Sequence, residues 1–163
     1  VRDSREKVGE GWTFSEDYCG GTITKGLEIG DYSIQGYEDI FAIERKRNVY
    51  EFCSSILARH KDGVRHMESQ LERMQTLRFS YLILECTLDE LFDFPIGSGI
   101  PKSKLEKIHF NGNVLMKYYA AYTQKYPKTQ IVFAGRNGFR AALSIMKRID
   151  ELLKFEHRKA KAK

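Results

Sequence analysis

The segment at residues 30–46 (GDYSIQGYEDIFAIERK) constrains the fold of this chain most strongly. A carboxylate, Asp31, follows a glycine turn, and the segment ends with an apolar run that has the residue types of a β-strand. Side chains two residues apart on a strand project from the same face. We therefore predict that Glu44 and Lys46 share one face of a buried strand while Arg45 projects from the other. An acid beside an ammonium group at the end of a buried strand favours a functional site over a purely structural position.

The remaining patterns predict an α/β fold, because strands come first and helices then alternate with strands. Short strands are expected at residues 1–4, 22–27 and 40–45, with extended structure at residues 32–34. Nearly continuous apolar runs predict buried strands at residues 81–85 and 131–134. Helical spacing predicts four helices, at residues 48–57, 67–77 and 114–126 and after Asn137, which would cap the last one. We expect a central mixed β-sheet flanked by helices, with Trp12 and Phe14 as core or lid aromatics.

Length and charge limit the range of functions. At 163 residues the chain is expected to form one domain, residues 1–155, followed by a basic, solvated helix end at residues 156–163. A formal net charge of +5 permits nucleic acid as a partner without requiring it. We expect no membrane partner, because no apolar run approaches the ~20 residues that span a bilayer. The start, VRDSREK, is not a signal peptide, and its first residue, Val1, is that expected of a trimmed or partial chain.

The cysteines and histidines indicate neither a zinc site nor a disulfide framework. Cys19, Cys53 and Cys86 are odd in number and far apart, and the histidines show no metal-binding spacing. We expect a reducing compartment, either the cytoplasm or, in a eukaryote, the nucleus. The loop at residues 94–101 (FPIGSGIP) lacks the Gly-Lys-Ser/Thr ending of a phosphate-binding P-loop, so no nucleotide site is predicted there.

The acids of segment 30–46 have the chemistry of a phosphodiester-cleaving site. Hydrolysis needs an activated water and a group that absorbs the charge developing on the phosphate, and a Mg²⁺-type ion does both. Asp31 and Glu44 could converge on one such ion, with the carbonyl of Arg45 as a further ligand. Lys46 could orient the water or neutralise the phosphate. The alternative is a surface ion pair of Glu44 and Lys46, worth ~0–1 kcal/mol. This pattern alone leaves the two interpretations equally open.

Three ordered motifs resemble those of one nuclease family. They are Asp3-Ser4-Arg5-Glu6-Lys7, Gly30-Asp31-Tyr32 and Glu44-Arg45-Lys46, in the order and approximate spacing of DxRE, GD and ERKxxxD. The chain thus resembles the ERCC4-type (XPF-like) nuclease domain over most of its length, including Gln70, Met74 and the apolar strand ending at Glu85. The resemblance implies a restriction-endonuclease-like core. It also implies DNA cleavage with Mg²⁺ or Mn²⁺ at branched sites or at single-strand/double-strand junctions.

The same resemblance implies roles for individual residues. Asp31 and Glu44 would be metal ligands, and Lys46 would be the catalytic lysine. A supporting cluster would consist of Asp3, Arg5 and Glu6. Arg45 would be the family's signature arginine, although strand alternation places its side chain on the opposite face.

Two features depart from the family pattern. The last acid of ERKxxxD falls at Tyr50, and Glu51 would lie about 100° around a helix from that position, which is a poor position for a substitute. No helix-hairpin-helix pair follows the motifs, so we expect a compact, stand-alone bacterial or phage-like member or an excised nuclease domain. The apolar final helix could bury against a second copy in a homodimer, as in the family's dimers, or against its own sheet.

Basic residues near the motifs are candidate DNA contacts: Lys7, Arg47, Arg65 and His66. Ordinary surface charge explains each of them equally simply. Residues 135–137 open a helix whose N-terminus could accept a phosphate, although a plain strand–helix connection is favoured.

The leading hypothesis is a metal-dependent endonuclease acting on branched or junction DNA. The alternative is a non-catalytic DNA-binding or scaffolding partner that keeps the nuclease fold, and an exonuclease or resolvase is also compatible with the motifs. Retention of Asp3, Asp31, Glu44 and Lys46 favours an enzyme.

Overall fold

A central parallel sheet organises the computed structural model, which describes residues 1–6, 9–98, 100 and 110–162. The strands are β1 (Arg2–Asp3), β2 (Thr24–Lys25), β3 (Phe41–Lys46), β4 (Phe79–Leu84) and β5 (Thr129–Phe133). Strands β3, β4 and β5 pair in parallel in that order. Tyr32 forms antiparallel bridges to Arg2 and Ile43, and these join the parallel pair β1–β2 to β3. The sheet is therefore mixed, as predicted.

Helices cover both faces of this sheet. They are α1 (Glu16–Cys19), α2 (Val49–Leu57), α3 (His66–Met74), α4 (Leu88–Phe92), α5 (Gly112–Lys125) and α6 (Gly138–Lys161). One hydrophobic cluster joins α2, α3 and α5 to the face that carries Leu82 and Leu84. The second joins α6 to the opposite face, which carries Ile43 and Ile83. This arrangement of helix layers around a sheet buries each amphipathic helix on its apolar stripe.

Aromatic and helical residues of the second cluster settle two predictions. Trp12 and Phe14 are buried core residues, 7% and 5% exposed. The apolar stripe of α6 packs on its own sheet through Ala142, Met146 and Ile149. Of the two alternatives predicted for the final helix, burial against its own sheet is therefore confirmed.

Several local predictions are wrong at element ends and edges. Strand β2 has only two residues, whereas Tyr32, in the segment predicted as extended, forms two β-bridges. Strand β5 is half-buried rather than buried, because β4 is its only strand neighbour among the described residues. The side chain of Asn137 makes no capping hydrogen bond, and a 3₁₀ turn, Gly135–Asn137, precedes α6 instead.

The basic end of the chain continues α6 through Lys161 as exposed helix. Its assignment as a segment separate from residues 1–155 stays a prediction. The loop predicted at residues 94–101 lies partly outside the described residues. Within the described ranges, no helix has both the length and the apolar character needed to cross a membrane.

Candidate active site

A charged cleft opens at the carboxyl end of β3. It has a volume of about 320 Å³. Apart from one glycine, its lining is polar or charged: Asp3, Arg5, Glu6, Glu10, Gly30, Asp31, Glu44, Arg45, Lys46, Arg47, Glu51, Gln70 and Arg73. The cleft thus brings together all the residues predicted as catalytic, from three separate sequence motifs.

Gly30 places Asp31 in this cleft by allowing a close backbone contact. Its φ of +76° lies in the left-handed region, and a Cβ built there would lie 2.8 Å from the carbonyl oxygen of Ile43. The next two N–H groups, of Asp31 and Tyr32, both donate to that same oxygen, at 2.8 and 3.0 Å. Only glycine fits a positive φ at such a short distance, which explains the Gly-Asp pair in the sequence.

Asp31 accepts a hydrogen bond from Arg45 and is repelled by the carboxylate of Glu44. Its Oδ2 accepts a hydrogen bond of 2.7 Å from the backbone N–H of Arg45. Burial raises the pKa of Asp31 well above its ordinary value, and the nearby Glu44 carboxylate raises that pKa further. The Arg45 N–H and the Lys46 ammonium group lower the pKa of Asp31 without cancelling the increase. A second positive charge in the cleft would therefore stabilise the ionised form.

Glu44, Lys46 and Gln70 form a closed hydrogen-bond triangle. Lys46 Nζ donates to Glu44 Oε1 at 2.7 Å and to Gln70 Oε1 at 3.1 Å. Gln70 Nε2 donates to the same Glu44 oxygen at 2.6 Å. Burial alone would lower the pKa of Lys46, but the adjacent Glu44 raises it above its ordinary value. Lys46 is therefore a fixed ammonium group at neutral pH, suited to electrostatic stabilisation rather than to proton abstraction.

Asp31 and Glu44 have the donor chemistry that a Mg²⁺ ion requires. Each uses one carboxylate oxygen in protein hydrogen bonds, while Asp31 Oδ1 and Glu44 Oε2 accept none from the described residues. A divalent cation between the two acids would offset the repulsion that raises the pKa of Asp31. Proteins commonly bind Mg²⁺ through only one or two carboxylates. In the described part of the chain, no group of three or more His, Cys, Asp or Glu side chains is arranged to hold a metal.

Asp3 supports the cleft from the amino-terminal motif. Its Oδ2 accepts from Arg5 Nε at 2.7 Å, and its Oδ1 accepts from the backbone N–H groups of Arg5 and Leu27 at 3.1 and 3.5 Å. Burial alone would raise the pKa of Asp3, but the hydrogen bonds from Arg5 outweigh it and lower that pKa. The backbone N–H of Asp3 also donates to the carbonyl of Asp31 at 2.7 Å. Asp3 thus fixes the backbone around Asp31.

Glu6 and Arg45 belong to a second network, on the far face of β3. The Arg45 guanidinium group pairs with Glu85 at 2.6 Å and lies 4.7 Å from the ring centroid of Trp12. Trp12 Nε1 donates to the other oxygen of Glu85 at 3.2 Å. Glu6 accepts from the Tyr32 hydroxyl at 3.2 Å. The predicted alternation is confirmed, because the Arg45 side chain lies opposite Glu44 and Lys46 while its N–H holds Asp31.

Tyr50 and Glu51, at the start of α2, differ in their position relative to the cleft. Tyr50 is 38% exposed and does not line the cleft, whereas Glu51 does. Glu51 accepts from the backbone N–H and Nε of Arg47, at 2.8 and 3.1 Å. Glu51 therefore faces the cleft, and the expectation that it is a doubtful substitute for the family's acid stays a prediction. The bond to the backbone N–H of Arg47 at the end of β3 turns the Glu51 side chain toward the cleft.

The predicted DNA contacts separate into different places. Arg47 lines the cleft and forms ion pairs with Glu10 and Glu51. Arg65 instead bonds the Tyr118 hydroxyl at 2.8 Å, and His66 stacks on His60 with ring centroids 4.0 Å apart. Neither of them lines the cleft. The remaining predicted contact, Lys7, lies outside the described residues.

Sequence reasoning did not name Glu10 or Arg73, considered Glu51 only as a doubtful substitute for the missing acid, and cited Gln70 only as part of the family resemblance. Gln70 carried a recognisable signal, because it lies three residues after Met67 and four before Met74, both fully buried on α3. A polar side chain on a buried helix face needs a hydrogen-bond partner. The signals for the other three are ordinary surface charges, which their sequence context does not distinguish.

Fold and cleft together define an α/β core in which helices flank a parallel three-stranded sheet and a charged cleft lies at the end of β3. No family model matches the sequence, and no curated protein matches it. Among solved structures, XPF from Aeropyrum pernix is similar over 97% of this chain and 67% of that chain, at 18% identity and a TM-score of 0.58. A structure of XPF from Aeropyrum pernix in complex with DNA matches 79% of this chain and 52% of that chain, at 19% identity and a TM-score of 0.49. The similarity to the first of these structures confirms the predicted fold class.

Proposed function

We propose that this protein is a divalent-metal-dependent DNA endonuclease that hydrolyses phosphodiester bonds at branched DNA or at single-strand/double-strand junctions. The motifs suggest the family, and the fold shared with XPF supports that interpretation. The residues that the motifs single out also line one cleft at the carboxyl end of β3, and α/β proteins commonly bind ligands at the carboxyl ends of their strands.

A metal site is supported most directly by the way in which Asp31 and Glu44 use their carboxylate oxygens. Asp31 and Glu44 each give one oxygen to the protein, which fixes the orientation of the carboxylate. The second oxygen of each accepts no hydrogen bond from the described residues. A purely structural pair of acids would be expected to use all four oxygens or to lie apart. Mg²⁺ or Mn²⁺, when bound, would polarise a phosphoryl oxygen and lower the pKa of a bound water.

The chain's own residues would then orient the substrate and stabilise charge. The Lys46 ammonium group is preorganised by Glu44 and Gln70, so it can neutralise an anionic phosphate oxygen without rearranging. The guanidinium group of Arg5, whose side chain is 66% exposed at the cleft mouth, can contact an adjacent phosphate. Asp3 and Arg45 act indirectly, by fixing the backbone that carries Asp31.

A cleavage panel tests this proposal. The purified chain would be incubated with labelled fork, flap, splayed-arm and plain duplex DNA, each with Mg²⁺, with Mn²⁺ and with chelator. We expect metal-dependent cutting, fastest on a branched or junction substrate. Glu44→Gln should abolish cutting, because it removes a negative ligand while keeping the side-chain shape. Glu151→Gln is the matched control, since Glu151 lies in an exposed ion pair on α6.

Two results would contradict the proposal. Cutting that persists in Glu44→Gln at the rate of the control would place the active site elsewhere. Specific DNA binding with no cutting on any substrate, with either metal, would instead support a non-catalytic scaffolding partner. Sequential release of mononucleotides from a free end would identify an exonuclease.

A further inference from the structure

Residues 58–65, between α2 and α3, form an ordered basic hairpin. Arg59 and Arg65 make an antiparallel bridge, and the N–H of His60 donates to the carbonyl of Val64 at 2.8 Å. The turn is closed by Gly63, at a φ of +87°, whose N–H donates to the carbonyl of His60 at 3.0 Å. This basic hairpin is therefore a defined surface feature rather than a loose connection.

The direction of α3 places the basic hairpin at the same end of the sheet as the cleft. Gln75, just after α3, bonds the Thr129 hydroxyl at the start of β5 at 2.8 Å. Gln70 bonds Glu44 near the end of β3 at 2.6 Å. The helix therefore runs against the strands, and its first residue, His66, lies beyond Gln70 on the cleft side. Four residues of helix correspond to ~6 Å, a length that about two nucleotides of B-DNA span.

One face of α3 connects the two features. His66, Gln70 and Arg73 are spaced by four and three residues, so they lie along one stripe of the helix. Gln70 and Arg73 line the cleft. His66 begins the helix beside the basic hairpin and is exposed. The stripe thus forms a polar path from the cleft to the hairpin.

Most cations on this path have no carboxylate partner among the described residues, whereas most cations of the cleft have one. Lys46, Arg47 and Arg5 in the cleft all form ion pairs with carboxylates. By contrast, Arg59, Lys61 and Arg73 form no ion pair with any described residue; Arg59 and Arg73 donate only to carbonyl oxygens. The single acid of the hairpin, Asp62, accepts the N–H of Val64 at 3.0 Å. Cations without carboxylate partners can contact phosphate without first breaking an ion pair.

We propose that the basic hairpin, together with the α3 stripe, binds the sugar–phosphate backbone of the DNA strand that leads into the cleft. This inference rests on the proposed function and adds the surface that holds the substrate. Contacts of this kind are independent of base sequence and set the register of the strand. The hairpin therefore contributes affinity and positioning, while the cleft contributes the chemistry.

Paired glutamine variants test the proposal. The variant Arg59→Gln/Lys61→Gln removes two charges from the hairpin, and Lys159→Gln/Lys161→Gln removes two from the end of α6. The latter end lies far from the cleft, because Glu156 of α6 pairs with Arg78 just before β4. A third variant, Arg59→Lys/Lys61→Arg, keeps the hairpin charge. Binding of labelled splayed-arm DNA would be measured in chelator over a salt series, and cleavage would be measured with Mg²⁺ at saturating protein. Circular dichroism and thermal melting would check folding.

We expect the hairpin glutamine variant to bind about tenfold more weakly and to reduce the salt slope by about 2, one for each lost phosphate contact. The charge-preserving variant and the α6 variant should bind like the unaltered protein. Cleavage at saturation should be unchanged in the α6 variant, whose two lysines lie outside the proposed binding surface. Equal affinities and slopes for the hairpin and α6 variants would overturn the inference.

The same measurements distinguish failure of the proposed function from failure of the hairpin inference. Unaltered protein that binds DNA without cutting contradicts the enzyme proposal, while the comparison of variants still decides the role of the hairpin. Unaltered protein that neither binds nor cuts DNA overturns both.

Discussion

The backbone N–H of Arg45 donates a 2.7 Å hydrogen bond to Oδ2 of Asp31, although the Arg45 side chain points to the opposite face of the sheet. One residue thus holds the acid of the preceding turn with its backbone and anchors the strand with its guanidinium group. This relationship reconciles the strand alternation of Glu44, Arg45 and Lys46 with an arginine that belongs to the same motif. It also predicts which substitutions disturb the cleft and which disturb only the fold.

Gly30→Ala should destabilise the protein by ~1–3 kcal/mol, because it forces a Cβ into the left-handed region and within 2.8 Å of the Ile43 carbonyl. Gly36→Ala is the matched control, since Gly36 has a φ of +83° with nothing within 4 Å of its Cβ position. Both variants place a Cβ at a positive φ, so the additional loss of stability in Gly30→Ala measures the contact with the Ile43 carbonyl. Urea unfolding would report both free energies of unfolding. Equal losses would contradict the proposed close approach.

Asp31→Asn should raise the free energy of unfolding in chelator, because burial and Glu44 disfavour the ionised carboxyl group and raise its pKa. The sign follows from the linkage between protonation and folding. Below the unfolded-state pKa of about 3.9, Asp31 is protonated in both states and its ionisation costs no stability. Above the raised folded-state pKa, the full cost of the buried charge lowers the free energy of unfolding. The gain should therefore be absent at acidic pH and grow as the pH rises. Thermal melting across pH measures it.

The control for this prediction has the opposite sign. Asp3 has a lowered pKa, because hydrogen bonds from Arg5 outweigh the effect of burial. Asp3→Asn should therefore destabilise the protein at neutral pH, and the loss should shrink as the pH falls through the folded pKa. A stabilising Asp3→Asn, or a destabilising Asp31→Asn in chelator, would contradict these electrostatic assignments.

Arg45→Lys should cost ~1.5–3 kcal/mol of stability, because lysine keeps the charge but loses the forked contact with Glu85 and the stacking on Trp12. Trp12 is the only tryptophan, so its fluorescence reports this network directly. We expect a red-shifted emission maximum. Arg78→Lys is the control, since its ion pair with Glu156 is exposed to solvent and should contribute little to stability. An unchanged emission maximum in Arg45→Lys would argue against the network.

The cysteines should differ sharply in reactivity. Burial raises the pKa of Cys53 to about 11 and that of Cys86 to about 12, whereas Cys19 is exposed. Because the thiolate is the reactive form, iodoacetamide at pH 8 should modify Cys19 and leave the other two until the protein unfolds. Mass spectrometry with and without denaturant would identify the sites. Rapid native labelling of Cys53 or Cys86 would contradict the packing of the core.

Features set by local geometry were predictable from the sequence. Strand alternation separates Arg45 from Glu44 and Lys46, and a glycine before Asp31 signals a turn, because both follow from neighbouring residues. Contacts between distant residues were not predictable in this way. Gln70 and Glu44 are 26 residues apart, and Arg45 and Glu85 are 40 apart, so their contacts depend on how α3 and β4 pack beside β3.

The partial burial of β5, an edge strand, was likewise not predictable from neighbouring residues. The apolar run at residues 131–134 predicts a strand correctly but not its exposure, which depends on its place at the end of the order β3–β4–β5. The position of Glu51 in the cleft likewise depends on a backbone bond from Arg47, rather than on helical angle alone. The sequence pattern predicts on which face of a strand or helix a residue lies, but tertiary packing determines which faces contact each other.

Cleavage of labelled splayed-arm DNA with Mg²⁺ by the unaltered protein and by Glu44→Gln tests the central claim most directly. We predict cutting by the unaltered protein, abolished by chelator, and a rate at least ~100-fold lower in Glu44→Gln, the scale of losing one key electrostatic contact in an active site. Equal rates in the two proteins, or no cutting by the unaltered protein with Mg²⁺ or Mn²⁺, would contradict a metal-dependent nuclease site at Asp31 and Glu44.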